Sequence, residues 1–147
     1  MKEVSVNVRP KVEFKVIKQS GEVVELDPTT IITNAGYDAI CDCIAKSPQP
    51  APFQYVAIGT NNTAPAAGQT TLGNEVMRQL GTYSHTAGTK TFSVVATFSI
   101  TASYTIWESG LFNASSGGTM LCRGVLDSGI PVQSGDTLQV TWTVSFT

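Results

Sequence analysis

This chain is short of charge. Asp, Glu, Lys and Arg make up 14% of its 147 residues, against about 25% in an ordinary soluble domain. The formal net charge is −2, and no basic patch exists. That excludes nucleic-acid binding through phosphate neutralisation. Cysteine is scarce and odd in number: Cys41, Cys43 and Cys122, which argues against a disulfide framework. One histidine, His85, leaves little from which to build a nucleophile–base pair. The N-terminus has no apolar core of the kind that directs secretion. The uncharged stretch 91–107 is too rich in Thr and Ser for a membrane helix. These absences lead us to expect a protein made and kept soluble in a cytoplasm.

Hydroxyls stand where charge is missing. Serine and threonine total 32. They suit sheet faces and can be buried against a partner at low desolvation cost. Charge is also uneven: ten of the twenty charged residues fall in residues 1–27, and none in residues 47–74. The N-terminal segment 1–27 therefore reads as charged strands or an arm, part of the same domain as residues 28–147.

The clearest pattern is in residues 137–146. Leu138, Val140, Trp142, Val144 and Phe146 alternate with Thr137, Gln139, Thr141, Thr143 and Ser145, the period of a strand with one buried face. Residues 91–100 repeat it, broken only by Val95. Val4, Val6 and Val8 alternate ahead of Pro10, which ends that strand or marks an edge. Val12, Phe14 and Val16 follow, with Lys11, Glu13 and Lys15 opposite them; Ser20-Gly21 then turns the chain into residues 22–26. Residues 34–45 read as the helix, capped by Thr33 or Asn34, with Tyr37, Ile40, Cys41 and Ile44 on the buried side. Residues 53–58 read as a central strand and residues 59–71 as an irregular loop. Residues 72–80 are ambiguous, and Glu75 and Arg78 pair if they are helical. Residues 104–107, 110–112, 120–126 and 130–132 read as short strands. Seven to nine strands separated by turns predict a mostly β protein, an antiparallel β-sandwich or jelly roll with one short α-helix.

No catalytic constellation emerges, and no metal or cofactor site. Cys41 and Cys43 diverge on the predicted helix and lack further ligands; Cys41 is expected in the core and Cys43 to be incidental. His85 sits in a polar loop. Glu75, Glu108, Asp127 and Asp136 show no spacing that joins them for acid–base work. Glu108 follows Trp107 at an expected strand end, where burial would oblige it to find a donor. Trp142 belongs to the core by register, and Trp107 is the ring with the better claim to a partner. No Gly-rich segment has the ending of a phosphate loop.

Four segments in order carry a resemblance. Residues 53–78, FQYVAIGTNNTAPAAGQTTLGNEVMR, contain Ile-Gly-Thr, an Ala-Pro loop, then Leu72, Glu75 and Arg78. Residues 105–123, TIWESGLFNASSGGTMLCR, contain Glu108, Gly110, Leu111 and Phe112. Residues 134–146, SGDTLQVTWTVSF, close the chain, and residues 30–37, TIITNAGY, open a helix. Spread over about three-quarters of the chain, they resemble structural proteins of tailed bacteriophages. Ser109 departs from that pattern, which more often has Ala there.

The resemblance implies a virion component made in the host bacterial cytoplasm. It implies no enzymatic role. Its partners would be other copies of itself, as a dimer or trimer, and other phage structural proteins such as the major capsid protein or tail proteins. No nucleic acid, membrane or cofactor is implied. A capsid decoration (cement) protein is the first expectation, because the chain stops straight after its closing strand. A tail-fibre, baseplate or tail-adaptor subunit is the alternative, and a glycan-binding sandwich using Tyr83, Tyr104 or Trp107 is the second alternative. The candidate interaction residues are Val4, Val6, Val8, Arg9 and Trp107.

Overall fold

The computed structural model describes residues 5–26 and 28–147. Ten strands and one helix follow in the order β1 (Val8–Ile17), β2 (Val23–Leu26), β3 (Thr29–Ile32), α1 (Asn34–Ala45), β4 (Tyr55–Gly59), β5 (Glu75–Leu80), β6 (Thr82–His85), β7 (Thr91–Ser99), β8 (Tyr104–Phe112), β9 (Met120–Val132) and β10 (Thr137–Phe146). They form two five-stranded sheets: sheet A in the order β2-β1-β10-β7-β6, and sheet B in the order β3-β9-β8-β4-β5. All recorded pairings are antiparallel. The sandwich expectation is met.

The inner face of sheet A is the alternation read from the sequence. Val12 pairs with Trp142, Phe14 with Val140 and Val16 with Leu138. On the other side of β10, Val94 and Phe98 oppose Trp142 and Leu138. All of these side chains are fully buried and share one core with Val56, Ile58, Ile106 and Leu111 of sheet B. Period-two patterning over a half-buried sheet is the cause.

Three elements differ from expectation. Residues 72–80 contain strand β5 rather than a helical turn, because β4 offers it a full edge from Tyr55 to Gly59. The two pairs of short strands expected around residues 104–132 are two long ones, β8 and β9, which carry polar residues in mid-strand. Of the strand expected over residues 4–8, residues 5–7 are in no strand. Val4 lies outside the described residues, and β1 starts at Val8 and runs through Pro10. Proline is tolerated there because β2 covers β1 only from Phe14 to Ile17. The Pro10 carbonyl instead accepts a hydrogen bond from Thr30 Oγ1 at 2.8 Å.

The helix has the expected bounds, with Thr33 as N-cap accepting from the Gly36 N–H at 2.8 Å. Its buried face is not the expected one. Gly36 and Ala39 are buried, Ile40 and Cys43 half-buried, and Tyr37, Cys41 and Ile44 exposed. The reason is close approach. A Cβ on Gly36 would lie 2.2 Å from the Leu121 carbonyl oxygen, so the helix backbone rests directly on β9 through its smallest residues. Cys41, expected in the core, is thereby exposed, and Cys43 is the half-buried one of the two.

Candidate functional site

The phage-like motifs meet on the outer side of sheet B. Ser109 and Leu111 point into the sandwich, so Glu108, Gly110 and Phe112 point out of it. There the loop between β4 and β5 covers them. Glu108 is fully buried, and so is Arg123, whose guanidinium holds it. Its carboxylate accepts from Arg123 Nη2 at 2.8 Å and Nε at 3.0 Å, and from the backbone N–H groups of Asn74 at 2.8 Å, Gly73 at 2.9 Å and Asn61 at 3.3 Å. Arg123 donates onward to Thr63 O at 2.8 Å and Gln69 Oε1 at 3.0 Å. A paired and fully hydrogen-bonded charge is the form in which burial is tolerated. The carboxylate is thus a structural anchor for an irregular loop. Gly59 makes room for it: a Cβ there would lie 2.4 Å from Glu108 Oε1.

Arg78 does a similar task beside it. It forms a two-pronged pair with Glu75, at 2.6 and 2.9 Å, and donates to the carbonyls of Ala114 and Gly117 in the β8–β9 turn. Its guanidinium lies 3.7 Å from the centroid of the Phe112 ring, a cation–π distance. Leu72 packs with Phe112, Ala57 and Met120 in a small second cluster. Glu75 and Arg78 therefore pair without the helix on which that pairing was predicated, on a strand beside a bulge at Ile58/Gly59.

The remaining polar groups are also occupied. Asp136, buried in the β9–β10 turn, accepts from the backbone N–H groups of Gln133 and Gln19, both at 2.9 Å. Those bonds, helped by the Lys18 ammonium, hold its carboxyl below the ordinary value. Lys18 also donates to the Pro131 carbonyl. Among the described residues no buried side-chain polar atom lacks a partner. His85 lies on β6 rather than in a loop, exposed, with Nδ1 2.7 Å from Thr91 O. Burial pushes the Cys122 thiol well up, and burial with the nearby Asp42 carboxylate raises that of Cys43; neither is activated as a nucleophile.

The expected interaction residues divide. Val6 is 71% exposed. Val8 is half-buried opposite Phe146. Arg9 is exposed and donates to Thr147 Oγ1 at 3.3 Å. Trp107 is half-buried on β8, so close to Gly129 that a Cβ there would lie 2.6 Å from its ring. The structure does not bring Trp107 together with the N-terminal group. It reveals instead a surface that hydropathy reading missed. An apolar groove of about 450 Å³ lies between α1 and the inner face of sheet A. Ile40, Cys43 and Ile44 form one wall, and Tyr83, Phe92 and Phe146 the other. The signal was present in the sequence as the helix stripe assigned to the core.

Among the described residues no helix is long and apolar enough to cross a membrane. Comparison with curated proteins and with solved structures gave no match. A family model, podophage GP4 fiber I protein gp80, matches residues 29–144. The match begins at β3 and runs nearly to the end of β10, so it contains all of sheet B, α1 and both of the clamped motifs. The chain belongs to this family of phage fibre proteins and is a structural component of a tailed-phage virion, associated there with other phage structural proteins.

Proposed function

We propose that this chain is a non-catalytic tail-fibre subunit that joins copies of itself and neighbouring tail proteins. The observation that carries the reading is the match of residues 29–144 to a fibre family. It favours the fibre over the capsid decoration role that the sequence put first. Absence of catalysis is part of the proposal. Its support is that the buried ionisable groups Glu108, Arg123 and Asp136 are all spent on holding loops. Synthesis in the host cytoplasm belongs to the same proposal.

Strands β1 and β2 lie outside the family match, yet they complete sheet A. We place attachment specific to one particle in this segment. Val8–Pro10 already pair with Val144–Phe146, so deleting residues 1–6 tests the arm with less harm to the ladder than deleting residues 1–10. The experiment is co-sedimentation of the full chain and the deletion variant with purified tails and, separately, heads. The expected result is saturable binding to tails that the deletion weakens. Binding to heads alone would restore the decoration role.

A further inference from the structure

The groove between α1 and sheet A ends at a bare sheet edge. Strand β6 is the last strand of sheet A, and all four of its residues are exposed. Tyr83 belongs to both features: its register partner Val94 is a core residue, so its ring turns inward to the groove, 6.0 Å from Phe92. A strand added at β6 would gain main-chain hydrogen bonds along the edge and place alternate side chains beside Tyr83 and Ile44. Ile44 is 78% exposed. The occupant must therefore be extended and apolar at every second position.

The chain itself contains such a segment. Val4, Ser5 and Val6 alternate directly ahead of the fold, and Val6 is exposed although it shares its parity with the half-buried Val8. The same molecule's Val6 is 71% exposed rather than seated in the groove, and it cannot reach the β6 edge. Asn7 is tied to Thr147 by two backbone hydrogen bonds, at 2.6 and 2.9 Å. From β1 to a position outside β6 is four strand spacings in the order β1-β10-β7-β6, about 19 Å at roughly 4.8 Å each. Val6, one residue from Asn7, has a reach of about 3.5 Å from it.

We infer that residues 4–6 of a second copy dock as an added strand on β6, with Val6 or Val4 filling the groove against Ile44 and Tyr83. The inference deepens the proposed self-association and rests on it. The contact is head-to-tail, so repetition by each copy builds a ring where the rotation closes and a filament where it does not.

The test is photo-crosslinking of the full chain with a benzophenone amino acid in place of Val6, in an equal mixture of unlabelled and heavy-nitrogen-labelled protein. Mixed-isotope crosslinks from position 6 to α1 or β6 are expected. Crosslinks confined to one chain, or to another surface, would overturn the inference. In parallel, Ile44→Asp changes an exposed side chain and should leave the fold intact by circular dichroism. It should convert the oligomer to monomer in sedimentation velocity, as should Val6→Asp. Unchanged oligomers in both variants would also overturn it. Tail co-sedimentation of the same variants separates the two ideas: retained tail binding without the crosslink sinks the strand exchange and leaves the fibre reading standing.

Discussion

The indole Nε1 of Trp142, in the middle of sheet A, donates to Ser109 Oγ of sheet B at 3.0 Å, and that hydroxyl donates in turn to Ala57 O at 2.8 Å. Both side chains are completely buried. Ser109 is the one position where the chain departs from the phage-like pattern, and the partner it meets explains the hydroxyl. Ser109→Ala would leave a buried indole N–H without an acceptor, at a cost of about 1–3 kcal/mol. Urea unfolding measures it. A variant as stable as wild type would show that the indole finds another acceptor.

The Glu108–Arg123 pair should behave unlike an isolated buried ion pair. Arg123→Met leaves a buried carboxylate short of its cation and should cost about 3–5 kcal/mol. Replacing both partners by apolar residues often restores stability where two charges hold only each other. Here Glu108 also holds the N–H groups of Asn61, Gly73 and Asn74. Glu108→Leu with Arg123→Met orphans those three donors, so the double variant should stay destabilised. Recovery to wild-type stability would show that the loop can find other acceptors.

Stability should fall in acid partly through Asp136. Its carboxyl is lowered in the fold by the Gln133 and Gln19 N–H groups and by Lys18. A lowered carboxyl contributes stability that is fully present above the unfolded value, about pH 4, and is lost as pH falls through the folded value. Asp136→Asn should be less stable than wild type at pH 7, with the gap narrowing below about pH 4. Urea midpoints across that range decide the matter; a constant gap would assign the loss elsewhere.

Helix α1 gives a paired prediction. Gly36→Ala drives a methyl onto the Leu121 carbonyl and should cost about 1–3 kcal/mol through displacement of the helix. Cys41→Ser, on the exposed side, should change stability by less than about 0.5 kcal/mol. Thermal or urea unfolding of the two variants compares the faces directly, and the reverse order would put Cys41 back in the core.

Legibility in the sequence followed the physics of each element. Strand β10 was readable from residue 137 to 146, because both of its neighbours bury the same face. The bounds of α1 were readable from its Thr33 cap and the prolines after it. Its buried face was not, since Gly36 and Ala39 pack by closeness and have little apolar surface to register in a hydropathy pattern. Strands β8 and β9 looked broken because Glu108 and Ser109 interrupt the apolar run, and only their partners Arg123 and Trp142 reveal that they lie in mid-strand. Strand β5 was hidden for the same kind of reason: its edge position leaves both faces partly wet. Of the interaction surface, the Val6 alternation was visible beforehand. The groove was not, as it joins residues from α1, β6, β7 and β10 that are far apart in sequence.

The order of strands also sets a timetable. In sheet A, β1 with β2 on one side and β7 with β6 on the other make contact only through β10. All five strands of sheet B precede β10 in the chain. On the ribosome, synthesis runs from the N-terminus. Sheet B can therefore pair while sheet A still exists as two separate hairpins. The two hairpins become one sheet only when residues 137–146 emerge and pair with Val8–Ile17 on one side and with residues 91–99 on the other. Completion of sheet A thus waits on residues 137–146, however much of sheet B has already paired.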